Sequence, residues 1–188
     1  MFLTKSFARF ALFSIFCALL LLITACTPTL NWRDVRFESA SGSTLKAVLP
    51  CKPDVATRQQ QLGGILVELS MMGCVASDTT FTLSRVPLAN PLNGPKVLAA
   101  WQAAGMANAR VKSAGAIAIP AVVSGASAWP PAVWQTIDGE VNQAHMLWFT
   151  KQTATGVIVY QAAMYGKQLS NKSSEDAADT FFESLKLE

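Results

Sequence analysis

Four cysteines and one histidine are the most chemically versatile side chains of this 188-residue sequence. His145, the single imidazole, would need a nucleophile and an orienting carboxylate to act as a catalytic base. Ser127, Asp138 and Glu140 are only nominal candidates for those roles, so His145 reads as an ordinary sheet or surface histidine. Cys51 closes the apolar stretch 45–50 and Cys74 ends the stretch 65–73, so two adjacent antiparallel strands could bring them together. A bridge there would close roughly 24 residues and contribute about 3 kcal/mol through loop-closure entropy. Two buried thiols, or a metal or redox site, are the alternatives. A metal site usually gathers several Cys, His or carboxylate ligands, and here no Cys-x-x-Cys occurs and the carboxylates are scattered. Gly63-Gly64 lacks the later glycines and the lysine of a phosphate loop, and Gly-x-Ser-x-Gly is absent. No catalytic, cofactor-binding or metal-ligating residue is assigned, and the chain is not expected to be an enzyme.

The remaining cysteines lie near the N-terminus. Lys5 and Arg9 precede an almost wholly apolar run from Phe10 to Ile23, the charged start and hydrophobic middle of an export signal. The run is short for a spanning helix, which wants about 20 apolar residues, and Thr27 and Pro28 end it abruptly. Small Thr24 and Ala25 stand directly before Cys26. Leu22-Ile23-Thr24-Ala25-Cys26 resembles the lipobox of bacterial lipoproteins, which are cut before the cysteine. The resemblance implies a signal peptide over 1–25, a diacylglycerol thioether and an amide-linked acyl chain on Cys26, and a lipidated tether over 26–31. Two or three acyl chains anchor a protein stably where one does so only marginally. Thr27, rather than Asp, after the cysteine favours the outer membrane, facing the periplasm. Cys17 leaves with the signal. In an exported protein disulfides persist, which favours the bridge between Cys51 and Cys74.

Removal of 1–25 takes Lys5 and Arg9 from the fifteen basic residues and none of the twelve acidic ones, so the charge falls from +3 to about +1. No basic cluster longer than two residues remains, and nucleic acid is not expected as a partner. The rest is long enough for one domain, 32–188, with its own core.

In order, Trp32, Val35 and Phe37 pack where the domain begins, and 39–42 is a turn. Thr44 to Leu49 reads as the first strand, stopped by Pro50. The stretch 52–61 is a polar connector or a water-facing edge strand, and 65–72 is a strand. Phe81 to Val86 alternates with period two, which predicts one buried and one wet face. After the loop 87–95 a helix over 96–107 buries Val97, Trp101 and Ala104, with an asparagine capping it and Pro95 in its first turn. A strand broken at Pro120 is expected within 111–123. The segment 125–131, with Trp129-Pro130-Pro131, reads as an irregular apolar loop. An exposed tryptophan beside prolines suits a contact surface, and packing over a sheet edge explains it equally well. Val133 to Ile137, a two-residue turn at Asp138-Gly139, 140–149 and 157–165 form a meander. A last helix starts with Ser173 as cap and Asp176 completing a capping box, and buries Ala177, Ala178, Phe181, Phe182 and Leu185.

These elements make an α+β fold, an antiparallel β-sheet packed against two helices. The runs LKAVLPCKP (45–53), GGILVELSMMGC (63–74), TTFTLSRV (79–86) and AADTFFESLKLE (177–188) resemble the small exported domains related to PsbP and Mog1, and a group of small proteobacterial lipoproteins. The resemblance implies a PsbP/Mog1-like sandwich that works as a binding or assembly module. The expected function is that of a lipid-anchored, noncatalytic envelope protein that binds or stabilises an envelope partner, with Trp129 and Trp134 as contact candidates. The alternative is a carrier of a small apolar or lipid ligand, in a cavity lined by Met71, Trp101, Trp148 and Phe182.

Overall fold

The computed structural model describes residues 30–110, 116–140 and 142–188. The expected signal, Cys26, Cys17 and the stretch 111–115 lie outside the described residues.

Strand β1 (Arg33–Glu38) pairs antiparallel with β2 (Thr44–Leu49), so the residues expected only to pack at the domain's start form a strand ahead of the one read as first. The missing cue is periodicity: five of the six β1 residues are partly or fully exposed, and Phe37 alone is buried. Strand β3 (Asp54–Leu62) then takes the edge-strand alternative for 52–61, with its first six residues in water. It pairs with the twelve-residue β4 (Ile65–Ala76), which runs past Gly73 and Cys74 into β5 (Thr79–Leu88). Ser77 and Asp78 between them both have positive φ, 49° and 59°, as a tight turn matched to the sheet twist requires.

Strand β5 corrects the expectation of one wet face. It lies third in a seven-stranded sheet of order β3-β4-β5-β9-β8-β7-β6, and both of its faces are covered. Phe81 and Leu83 face one core, Val86 faces another, and Thr82 and Ser84 are buried. Alternation of polar and apolar residues marked two chemically different cores rather than core and solvent.

Helix α1 (Gly94–Ala109) covers one face of this sheet. It is longer than expected at both ends. Asn90 does accept a hydrogen bond, from Leu92 N at 3.0 Å, but it caps a 3-10 turn over Pro91–Asn93 rather than the helix. Strand β6 (Ala116–Ala121) keeps Pro120 inside it, which is tolerated because β6 is the outermost strand. Strands β7 (Ala132–Asp138), β8 (Gln143–Thr153) and β9 (Gly156–Gly166) form the meander. Asp138 pairs with Gln143, so the connection spans 139–142 and not the two residues Asp138-Gly139. Gly139 N donates to Asn142 O at 3.2 Å, which displaces the turn into the loop.

Helix α2 (Lys172–Glu183) covers the other face together with the small sheet β1-β2-β10, where β10 is Lys186–Leu187. Its cap is Asn171, whose Oδ1 accepts from Ser174 N at 3.0 Å; Ser173 already lies inside the first turn. Both residue types cap well, and it is Asn171 that stands in the extended conformation ahead of the helix. The two-residue β10 was not anticipated. It exists because Leu187 N reaches Ser124 O and Thr44 and Glu188 exchange backbone hydrogen bonds.

The result is a mixed α+β layering, with the large sheet between α1 on one side and α2 plus the small sheet on the other. Cys51 and Cys74 are bonded, with Cα atoms 6.0 Å apart. The bridge ties the crossover from the small sheet to the second strand of the large one. No described helix is long and apolar enough to cross a membrane.

Candidate functional site

The two edges of the large sheet differ in charge. Edge β3 exposes Asp54, Thr57, Arg58, Gln59 and Gln61 with Val55 62% exposed among them, and its charged groups discourage further strand pairing. Edge β6 carries Ala116-Ile-Ala-Ile-Pro-Ala121 with no charge at all. Ile117 and Ile119 are 65% and 52% exposed, opposite Thr136 and Trp134 of β7. Pro120 offers no N–H to a further strand and blunts this edge, while Ile117 and Ile119 leave two large apolar side chains in water.

The chain continues from this edge into 122–131, which the structure pins at several points. Val123 is buried, and Ser124 O accepts from Leu187 N at 2.9 Å. Lys151 Nζ donates to Gly125 O at 2.8 Å. Ser127 N donates to Thr150 O at 2.8 Å, and Ser127 Oγ accepts from Gln152 N at 2.7 Å. Gly125 has φ +77°, and a Cβ there would stand 2.1 Å from Leu187 O, so only glycine allows this approach. A Gly125→Ala variant is accordingly expected to lose well over about 1 kcal/mol, measured by denaturant unfolding. From this anchored base Val122 and Trp129 project outward, 95% and 74% exposed, and the Trp129–Pro130 peptide is cis.

Of the two tryptophans expected to make contacts, Trp129 is therefore presented to solvent and Trp134 is largely used internally. The Trp134 ring meets Phe182 edge-on at 4.5 Å and His145 at 5.6 Å, and its Nε1 donates to Thr136 Oγ1 at 3.1 Å. Trp134 is the cross-strand partner of Ile119. Ile117, Ile119 and Val122 were not singled out as exposed apolar residues; for Ile117 and Ile119 the signal is the period-two run Ala116-Ile-Ala-Ile119.

His145 sits half-buried on β8 beneath α2. Its nominal catalytic partners are engaged elsewhere: Ser127 by Gln152, and Asp138 by Gln143 Nε2 at 3.2 Å. Burial lowers its pKa below the usual value, partly offset by the nearby Glu175 carboxylate. A histidine held neutral in the folded state leaves stability intact above the unfolded pKa near 6.5, and stability falls as pH drops below it toward the lowered folded value. His145→Gln is expected to flatten this part of the stability profile, read by thermal melts between pH 7.5 and 5.

The residues suggested for a carrier cavity do not share one. Trp101 and Trp148 pack edge to face at 5.4 Å under α1. Phe182 lies across the sheet against Trp134, and Met71 lines an open groove beside Cys51 and Cys74. Among the described residues, no three Cys, His or carboxylate side chains come together as a metal site. A depression of about 800 Å³ is an open polar hollow lined by Ser77, Asp78, Asn142, Tyr165 and Lys167 among others. The Tyr165 hydroxyl at its margin is pushed up to about 12 by burial. Comparison with protein families, with curated proteins and with solved structures finds no match.

Proposed function

We propose that this chain is a lipid-anchored, noncatalytic protein of the bacterial envelope that holds a partner protein through the β6 edge and the Trp129 loop. The observation that carries the reading is the exposure of Ile117 and Ile119 on the outermost strand, and of Val122 and Trp129 in the segment that follows it, whose 123–127 stretch is held by hydrogen bonds. The part of the edge ahead of Pro120 can accept a short partner segment through main-chain hydrogen bonds, while the exposed side chains give selectivity. A rigid exposed tryptophan next to it has the chemistry of an interface hot spot. Pinning 123–127 beforehand reduces the ordering cost of binding. The lipobox-like run ending at Cys26 supports anchoring, after removal of 1–25, at the outer membrane facing the periplasm. The resemblance to PsbP- and Mog1-type domains, which mostly serve binding or assembly, agrees with a module that recognises rather than transforms.

The test is covalent crosslinking in intact cells followed by mass spectrometry, comparing the native chain with Trp129→Ala, Ile119→Lys and Cys26→Ser. One envelope protein captured by the native chain, and reduced about tenfold or more by Trp129→Ala, is the expected result. Because Trp129 is mostly in water, Trp129→Ala should change stability by less than about 0.5 kcal/mol, so the loss reads as binding. Recovery of a co-purifying lipid with no protein partner would reject this reading in favour of the carrier.

A further inference from the structure

The described chain starts at Leu30, four positions after Cys26. Leu30 and Trp32 sit beside the first turn of α2, in a depression shared with Lys172, Ser173 and Asp176. The entry is fixed there: Asn31 N donates to Pro50 O at 2.7 Å, and Trp32 meets the edge of Phe81 with centroids 6.3 Å apart. A chain covers at most about 3.6 Å per residue, so every conformation of 26–30 keeps Leu30 within about 14 Å of the Cys26 Cα.

The domain is much longer than that tether. Ser77 and Asp78 of the β4–β5 turn, Lys167 and Gln168 after β9, and Asn171 and Ser174 at the start of α2 line one hollow at the entry end. The β8–β9 turn at Ala154-Thr155 lies at the far end of β9, whose eleven residues extend about 33 Å.

Resting on the acylation of Cys26 proposed above, we infer that the end carrying Ser77-Asp78, Lys167 and Lys172 lies against the headgroups of the anchoring bilayer, with the β8–β9 turn pointing away. Tether length, not charge, sets this orientation. At the entry end the exposed Lys52, Lys167 and Lys172 are offset by Asp54, Asp78, Glu175 and Asp176, the last 3.4 Å from Lys172. A surface without basic excess gains little from anionic lipid. Val55 and Val75 are exposed apolar side chains there, too little to drive insertion. The contact is therefore a headgroup-level juxtaposition, and it leaves the β8–β9 end in the aqueous space.

The experiment uses the full acylated protein in phosphatidylcholine vesicles, with and without phosphatidylglycerol, carrying a headgroup-attached quencher. One fluorescent probe is placed through Asp78→Cys or Ala154→Cys, both exposed turn positions, and acylation of Cys26 is first read by mass spectrometry of the N-terminal peptide. Severalfold stronger quenching at position 78 than at 154, unchanged by phosphatidylglycerol, is expected. A flexible insertion of about thirty residues before Leu30 should erase the difference, because its reach then rivals the length of the domain. Equal quenching at the two positions of the acylated native-length protein, or stronger quenching at 154, overturns the orientation alone. A Cys26 without acyl chains overturns the anchoring reading, and the inference with it.

Discussion

Replacing Trp148 with alanine is expected to lower stability by about 3–5 kcal/mol, the range for deleting a large aromatic from a packed core. Trp148 is fully buried at the middle of the face covered by α1. Its ring packs edge to face with Trp101, the residue through which α1 reaches the sheet, and its Nε1 donates to Gln135 Oε1 at 3.0 Å. The substitution removes the ring and also strands the amide of Gln135, itself only 5% exposed, which adds the cost of a buried unpaired polar group. In a chain of this size that loss corresponds to a drop in Tm of about 6–20 °C. Trp148→Phe separates the two contributions, since it keeps most of the apolar area and loses the hydrogen bond, for about 1–3 kcal/mol. Urea unfolding of the three proteins measures both. A loss below about 1 kcal/mol for Trp148→Ala would mean that α1 does not close on this face.

Removing the disulfide has the second large effect. A Cys51→Ala/Cys74→Ala double variant is expected to lose about 3 kcal/mol, because a bond across 23 positions restricts the unfolded chain much more than the folded one. The equivalent fall in Tm is about 6–12 °C. Reduction of the native protein should reproduce the shift, and the double variant should not respond to reductant. The cost is carried by one place in the fold. Between Leu49 at the end of β2 and Asp54 at the start of β3 the chain passes from the small sheet to the large one, and the bond holds that passage to β4 in addition to the β3–β4 ladder. Equal stability with and without the bond would show that the ladder alone fixes the crossover.

The loop that carries Trp129 and the core beneath α1 respond to different changes. Trp129→Ala leaves folding nearly unchanged and reduces partner capture, whereas Trp148→Ala damages folding and acts on binding only through it. Measuring both variants for both properties therefore separates the surface from its support.

The sequence by itself determined the elements whose pattern is local. The helix with Phe181 and Phe182 on its buried side and the strand over 44–49 follow from residue types and spacing, while the Cys51–Cys74 bond and the edge-strand form of 52–61 were each one of several readings the residues allowed. The α+β class also follows, because long alternating strands need layers over their apolar faces. Tertiary structure alone decided which strands are central. In β5 the same alternation serves a wet face or a second core, and only its place between β4 and β9 selects the core. Strands β1 and β10 are too short and too exposed to announce themselves; partners distant in sequence make them, as Ser124 and Thr44 do for β10. The candidate site divides the same way. The exposure of Trp129 beside its prolines was one of two readings the sequence allowed. The exposure of Ile117 and Ile119 on an outermost strand was not legible, since Pro120 interrupts the pattern and only the edge position of β6 makes that proline compatible with a strand. Local residue chemistry sets what a segment can become, and long-range pairing sets which of its faces meets water.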